Sequence, residues 1–243
     1  MIRLQLLMTW LRSAIFNLGM WLMVIPFALL ALLMISFSAP FRSRLVSGWA
    51  HFVVWWLALT CGLRYRVIGL ENIPQHPCVI LAKHQSAWET IAFQAIFPPQ
   101  IWVLKRSLLL LPFFGWALWA LRAIAIDRSA GREALKQLVS QGRDRLAIGL
   151  NVVVFPEGTR ITPGRRGKYH IGGAWLAAHA GALALPVAHN AGEFWRKNSL
   201  LKRPGTITVS IGKPIDTAGM KADELNRQVE AWIEAEMPRL SSL

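Results

Sequence analysis

The chain has 243 residues, 54% of them hydrophobic and only 16% charged, yet its formal net charge is +14. That length suits one domain with a sizeable core plus an appended element, and a chain both greasy and basic fits an anionic membrane surface better than nucleic acid, for which no recognisable motif is present. The two cysteines, Cys61 and Cys78, lie in apolar runs and give no disulfide framework, and the six histidines form no HExxH or Cys/His cluster, so no metal is expected.

In chain order, the first feature is an uncharged run of 29 residues from Ser13 to Phe41. As a helix it would be about 43 Å long, enough to span a bilayer, with a kink or break at Pro26. A second uncharged run, Leu45 to Leu63, carries Trp49, Trp55 and Trp56, which suit a membrane interface. A cleaved signal peptide is the competing reading. The apolar region is too long for one, and Ser38-Ala39-Pro40 is a poor cleavage site. Arginines flank both runs (Arg3 and Arg12, Arg42 and Arg44, Arg64 and Arg66). A hairpin dipping into one leaflet keeps all three pairs at one surface, so it is expected over two full spans. Residues 1–63 thus read as an N-terminal membrane-anchoring helical element.

Beyond Arg64 short apolar runs alternate with helical segments. Strands are expected at Tyr65–Ile68, Cys78–Ala82, Ile101–Leu104, Ala123–Ile126, Val152–Phe155, Ala184–Ala188 and Thr206–Ile211. Helices are expected at Thr90–Ile96, Phe113–Leu121, Arg132–Ile148, Gly173–Ala180 and Lys221–Met237. Residues 64–243 therefore read as an α/β domain, with a mixed, largely parallel sheet of about seven strands flanked by helices.

Chemistry-bearing residues gather at strand ends. Lys83-His84-Gln85-Ser86-Ala87-Trp88-Glu89 joins a buried strand to a helix. Ser86 and Glu89 have capping-box spacing, with Ser86 as N-cap and Glu89 at N3. On one continuous helix His84 and Glu89 would face about 140° apart. They meet if His84 is in the loop and Glu89 in the helix's first turn. Taken alone, the pair reads as a capped helix with a loop histidine. Further along, Phe155-Pro156-Glu157-Gly158-Thr159-Arg160 leaves a buried strand as a tight loop, and Arg160 offers a bidentate fork for phosphate or carboxylate. Lys105, Arg106 and Arg128 also sit at strand ends. Together with Arg160 they imply one cleft that holds an anion, most simply a phosphate.

These blocks resemble, in order, those of the glycerolipid acyltransferases, most closely the bacterial 1-acyl-sn-glycerol-3-phosphate acyltransferases. His84 to Glu89 is similar to the histidine–four residues–acid block. Lys105 with Leu108, Pro112 and Gly115 is similar to the second, Phe155 to Arg160 matches the third without departure, and Leu185-Pro186-Val187-Ala188 is similar to the fourth. The resemblance covers roughly Gly69 to Pro214. It departs at Glu89, usually aspartate, at Ser107, usually glutamate, and at His170, often lysine.

The resemblance implies acyl transfer from an acyl thioester to the sn-2 hydroxyl of 1-acyl-sn-glycerol-3-phosphate, giving phosphatidic acid in phospholipid biosynthesis. His84 is then the general base and Glu89 its orienter. Lys105, Arg106, Arg128, Glu157, Gly158, Thr159 and Arg160 form the substrate-binding set. It implies no bound cofactor, acyl-CoA or acyl carrier protein as co-substrate, and a bacterial inner membrane location with the site facing the cytoplasm. Two alternatives are an acyltransferase for another lysolipid, such as lyso-ornithine lipid, and a non-catalytic membrane-binding protein. Intact His84, Glu89 and the Glu157–Arg160 loop argue against the second.

Overall fold

The structure, a computed structural model, describes residues 2–127 and 130–241. All seven expected strands form. They are β1 (Leu63–Ile68), β2 (Val79–Ala82), β3 (Gln100–Lys105), β4 (Ile124–Ile126), β5 (Asn151–Val154), β6 (Ala184–His189) and β7 (Gly205–Ile211). They make one sheet in the order β1-β7-β6-β2-β5-β3-β4. β1 and β7 run together and antiparallel to the other five, so the sheet is mixed but largely parallel.

Two helices, α1 (Ile2–Leu33) and α2 (Ala39–Cys61), precede the sheet. Later come α3 (Trp88–Ile96), α4 (Phe114–Ala120), α5 (Gly131–Ala147), α6 (Gly172–Ala180), the short α7 (Ala191–Phe194) and α8 (Ala222–Leu240). The strand pattern of period two sorts the core into two layers. Ile80 and Ala82 of β2 join Leu185 and Val187 of β6 under α2 and α3. Val79 and Leu81 join Val152 and Val154 of β5 under α5, α6 and α8. Gly173 brings α6 close to the sheet, since a Cβ there would lie 2.4 Å from the Leu81 side chain.

The N-terminal element departs from expectation in three ways. First, α1 runs through Pro26 without a break. Second, among the described residues one helix, Arg3–Leu33, is long and apolar enough to cross a membrane, and only 22% of its most apolar window is buried. Its buried residues, Ser13, Phe16, Met20, Val24, Ala28 and Ala31, recur at helical spacing and form one stripe, leaving Leu11, Leu18, Trp21 and Leu29 outward. By contrast α2 is a core helix. Ala50, Val53, Leu57 and Cys61 are buried in the layer that covers the sheet. Ser38 caps its start by accepting the Phe41 N–H, and Gly62, left-handed at φ 66°, ends it. Third, Arg42 is no surface anchor. It is buried and donates to the carbonyls of Ala120, Ile35 and Phe37, tying the α1–α2 turn to the end of α4.

Candidate active site

Because β3, β5 and β2 are parallel neighbours, the loops leaving their C-terminal ends meet. Lys105 ends β3, Phe155 to Arg160 follows β5, and His84 follows β2. The 157–161 loop grips the His84 backbone from both sides. Glu157 Oε2 accepts the His84 N–H at 2.8 Å, and the Ile161 N–H donates to the His84 carbonyl at 2.8 Å. The imidazole stacks on Phe155, with ring centroids 4.2 Å apart and planes 16° from parallel.

His84 Nδ1 lies 2.8 Å from Glu89 Oε1. The same oxygen accepts the N–H groups of Gln85 at 2.8 Å and Ser86 at 2.7 Å. The longer glutamate therefore holds both the imidazole and the helix approach with one oxygen. The capping geometry is displaced by one residue from expectation. α3 starts at Trp88, Ala87 occupies the cap position, and Ser86 Oγ accepts from the Trp88 N–H at 3.1 Å. Three donors converging on Glu89 draw the chain tight before the helix begins. Burial would raise the Glu89 carboxyl, but the nearby His189, the His84 hydrogen bond and the Ser86 N–H outweigh it and hold it below its ordinary range. An ionised Glu89 fixes the proton on Nδ1, which leaves the Nε2 lone pair for chemistry. Among the described residues, no group hydrogen-bonds Nε2.

His84 borders a cavity of about 740 Å³. Lys105, Gly158, Thr159, Arg160 and His170 also line it, and Trp102, Leu104, Leu118, Leu138 and Val154 are among its apolar walls. Among the described residues no carboxylate pairs with Lys105 or Arg160, so two uncompensated cations face the space beside the histidine. The other expected site residues fare differently. Arg106 is exposed, begins a 3₁₀ turn at Arg106–Leu110, and does not line the cavity. Arg128 lies outside the described residues. Glu157, expected to bind substrate directly, borders the cavity with its carboxylate fully buried. Oε1 takes the Lys83 ammonium at 2.7 Å and Oε2 the His84 N–H, so no oxygen is offered outward. Sequence reasoning missed Lys197, whose Nζ donates to Thr159 Oγ1 at 3.2 Å from a loop with no motif. It also missed Lys83 and Glu234, joined at 2.7 Å. Among the described residues, no group of three or more His, Cys, Asp or Glu side chains is arranged to hold a metal ion.

A buried base–acid pair opening on a cationic, apolar-walled cavity suits transfer of a hydrophobic group to an anionic acceptor. Comparisons with known proteins point the same way. Residues 64–190 match the family model described as Acyltransferase. The chain is 50% identical over 210 residues to the 1-acyl-sn-glycerol-3-phosphate acyltransferase of Pseudomonas aeruginosa, a match covering 84% of this chain and 82% of that protein. It is 30% identical over 184 residues to the 1-acyl-sn-glycerol-3-phosphate acyltransferase of Saccharomyces cerevisiae, covering 72% of this chain and 59% of that one. In fold it is similar to the crystal structure of the 1-acyl-sn-glycerophosphate (LPA) acyltransferase PlsC from Thermotoga maritima, with a TM-score of 0.80 over 96% of each chain and 21% identity.

Proposed function

The chain belongs to the acyltransferase family, and on that premise we propose that it makes phosphatidic acid by acylating 1-acyl-sn-glycerol-3-phosphate, with His84 as general base. Positions 1 and 3 of this acceptor are blocked, so the sn-2 hydroxyl is the one free to react. The observation that carries the catalytic reading is the 2.8 Å contact between His84 Nδ1 and Glu89, which presents Nε2 to the cavity that holds Lys105 and Arg160.

Nε2 takes the proton of the sn-2 hydroxyl as its oxygen attacks the thioester carbonyl. The imidazolium that forms is stabilised by Glu89. The tetrahedral intermediate collapses with loss of a thiolate, an adequate leaving group because thiols are fairly acidic, and the imidazolium gives its proton to the departing sulfur, which restores the base. No enzyme nucleophile is required. Arg160 and Lys105 hold the acceptor phosphate and so place its hydroxyl at Nε2. The apolar walls take up an acyl chain.

The substrates and product are amphiphiles, and the outward face of α1 supplies a membrane-seeking surface. Trp116 and Trp119 of α4, which packs on α1, and Leu110 just before it add exposed apolar area near the cavity. This arrangement supports attachment through α1 with α2 kept in the protein. It suits the cytoplasmic face of a bacterial inner membrane, where anionic lipid meets the +14 charge.

Purified protein assayed with acyl-CoA and acyl carrier protein thioesters against a panel of lysolipids tests the reading. Turnover should be greatest with 1-acyl-sn-glycerol-3-phosphate. Membrane binding without transfer to any lysolipid overturns it. Arg160→Ala should raise KM for the phosphate acceptor about 10- to 100-fold, in line with a lost charge-assisted pair. It should change turnover of a phosphate-free acceptor little. Equal loss on both acceptors argues against a phosphate contact.

A further inference from the structure

We propose that Lys83, Glu157 and Glu234 form a buried brace through which the C-terminal helix α8 sets the seat of the His84 backbone. Period two in β2 decides the geometry. Val79 and Leu81 face α6 and α8, whereas Ile80 and Ala82 face α2 and α3. The Lys83 N–H continues the ladder by donating to the Val187 carbonyl at 3.0 Å. The alternation therefore sends Lys83 toward α8 and its neighbour His84 toward α3 and Glu89. One dipeptide thus has a chemical side and a supporting side.

Lys83 is 1% exposed, which a lysine tolerates only when paired. Its ammonium touches Glu157 Oε1 at 2.7 Å and Glu234 Oε1 at 2.7 Å. Tyr169 donates its hydroxyl to the same Glu234 oxygen at 2.8 Å. Glu157 closes the path by accepting the His84 N–H on its other oxygen. Gly167 packs directly on this group, since a Cβ there would stand 2.8 Å from Glu157 Oε1. Glu234 therefore acts on the histidine through Lys83 and Glu157. All three are positioning residues, separate from the chemistry at Nε2.

A pH signature follows. The charged and titratable groups facing Glu157 are Lys83 just after β2, the neutral Tyr169 hydroxyl from the loop before α6, and Glu234 from α8, where Glu230 is paired with Arg166. Burial raises the Glu157 carboxyl, the Lys83 ammonium and the His84 N–H oppose the rise, and the charge of Glu234 adds to it. Removing Lys83 raises it further. The ionised carboxylate, the strong acceptor for the His84 N–H, is then lost at a higher pH as pH falls.

The brace rests on the acyltransferase reading for its kinetic test, so the experiment also includes a measurement independent of turnover. Glu234→Gln should lower kcat about 10-fold, as for a slightly misplaced base, with KM for donor and acceptor within about 2-fold. Lys83→Met should move the acid limb of kcat/KM to higher pH. Lys83→Met combined with Glu157→Gln should abolish that shift and regain part of the lost melting temperature, because the glutamine neither titrates nor leaves a buried charge unpaired. In ¹⁵N-labelled protein, Glu234→Gln should displace the His84 amide resonance. An unmoved His84 amide overturns the brace whether or not the wild type turns over. So does a Glu234→Gln variant with wild-type kcat and pH profile. A wild type inactive on every lysolipid, with the His84 amide displaced, overturns the acyltransferase reading and leaves the brace supported.

Discussion

Replacing His84 with alanine is expected to lower kcat/KM for acyl transfer by roughly 10²- to 10⁴-fold, the usual contribution of a positioned general base. The variant should still fold. The bonds that seat residue 84 are made by its backbone N–H and carbonyl, to Glu157 and Ile161, and alanine keeps both. Glu89 Oε1 retains the Gln85 and Ser86 N–H groups, so its buried charge is still solvated by donors. What is lost is the ring on Phe155 and the one lone pair directed into the cavity. A steady-state assay paired with a thermal melt separates the two effects. A folded His84→Ala protein with near-normal turnover would sink the base assignment.

The second large effect is at Glu89, where two substitutions should part company. Glu89→Gln keeps the shape and an oxygen for the backbone donors, but it no longer stabilises an imidazolium. It should reduce kcat about 10²- to 10³-fold, as loss of a preorganised electrostatic partner does, with a modestly lower melting temperature at neutral pH. Glu89→Ala leaves two buried N–H groups without an acceptor, at about 1–3 kcal/mol each, and should fold poorly or not at all. Acid stability gives the sign of the charge effect. The folded pKa of Glu89 is held low, by His189, His84 and Ser86 acting against burial, so ionised Glu89 favours the folded state above the unfolded value of about 4.3. That contribution fades as pH falls through the lower folded value. Glu89→Gln should lack this part of the acid-unfolding slope. An unchanged slope, or full activity in the glutamine variant, would count against the pair.

The seven strands were legible because each is local, whereas the His84–Glu89 contact was only allowed by its spacing and was picked out by the ordered blocks around it. A buried strand is a short apolar run, while five residues across a strand–helix junction permit the contact without requiring it. The Glu157–Arg160 loop was legible as a unit, but not which of its side chains faces in. Glu157 carries a carboxylate of the sort that binds substrates, yet Lys83 and the His84 N–H take both of its oxygens. Lys83 and Glu234 are 151 positions apart, and no spacing rule joins them. Only the sheet's face alternation and the docking of α8 do. The nature of α2 was hidden for a different reason. A core helix and a lipid-facing helix have the same greasy composition and differ only in what covers them.

That burial of α2 bears on how the enzyme can be handled in the laboratory. A natural way to obtain a detergent-free catalytic fragment is to trim everything before β1 at Leu63, where the greasy prelude ends in the sequence. Such a cut would remove Ala50, Val53, Leu57 and Cys61 from one face of the sheet and lay bare Ile80, Leu185 and Val209 beneath them. The fragment would precipitate for want of a lid, whatever the state of its active site. A cut in the turn before Ala39 keeps the α2 layer, at the cost of the Ile35 and Phe37 carbonyls that hold Arg42, and calls for polar replacement of side chains that α1 sheltered, such as Trp56, which packs on Gly19. The break in the greasy prelude therefore falls between the two helices, at Ser38, rather than where hydropathy changes.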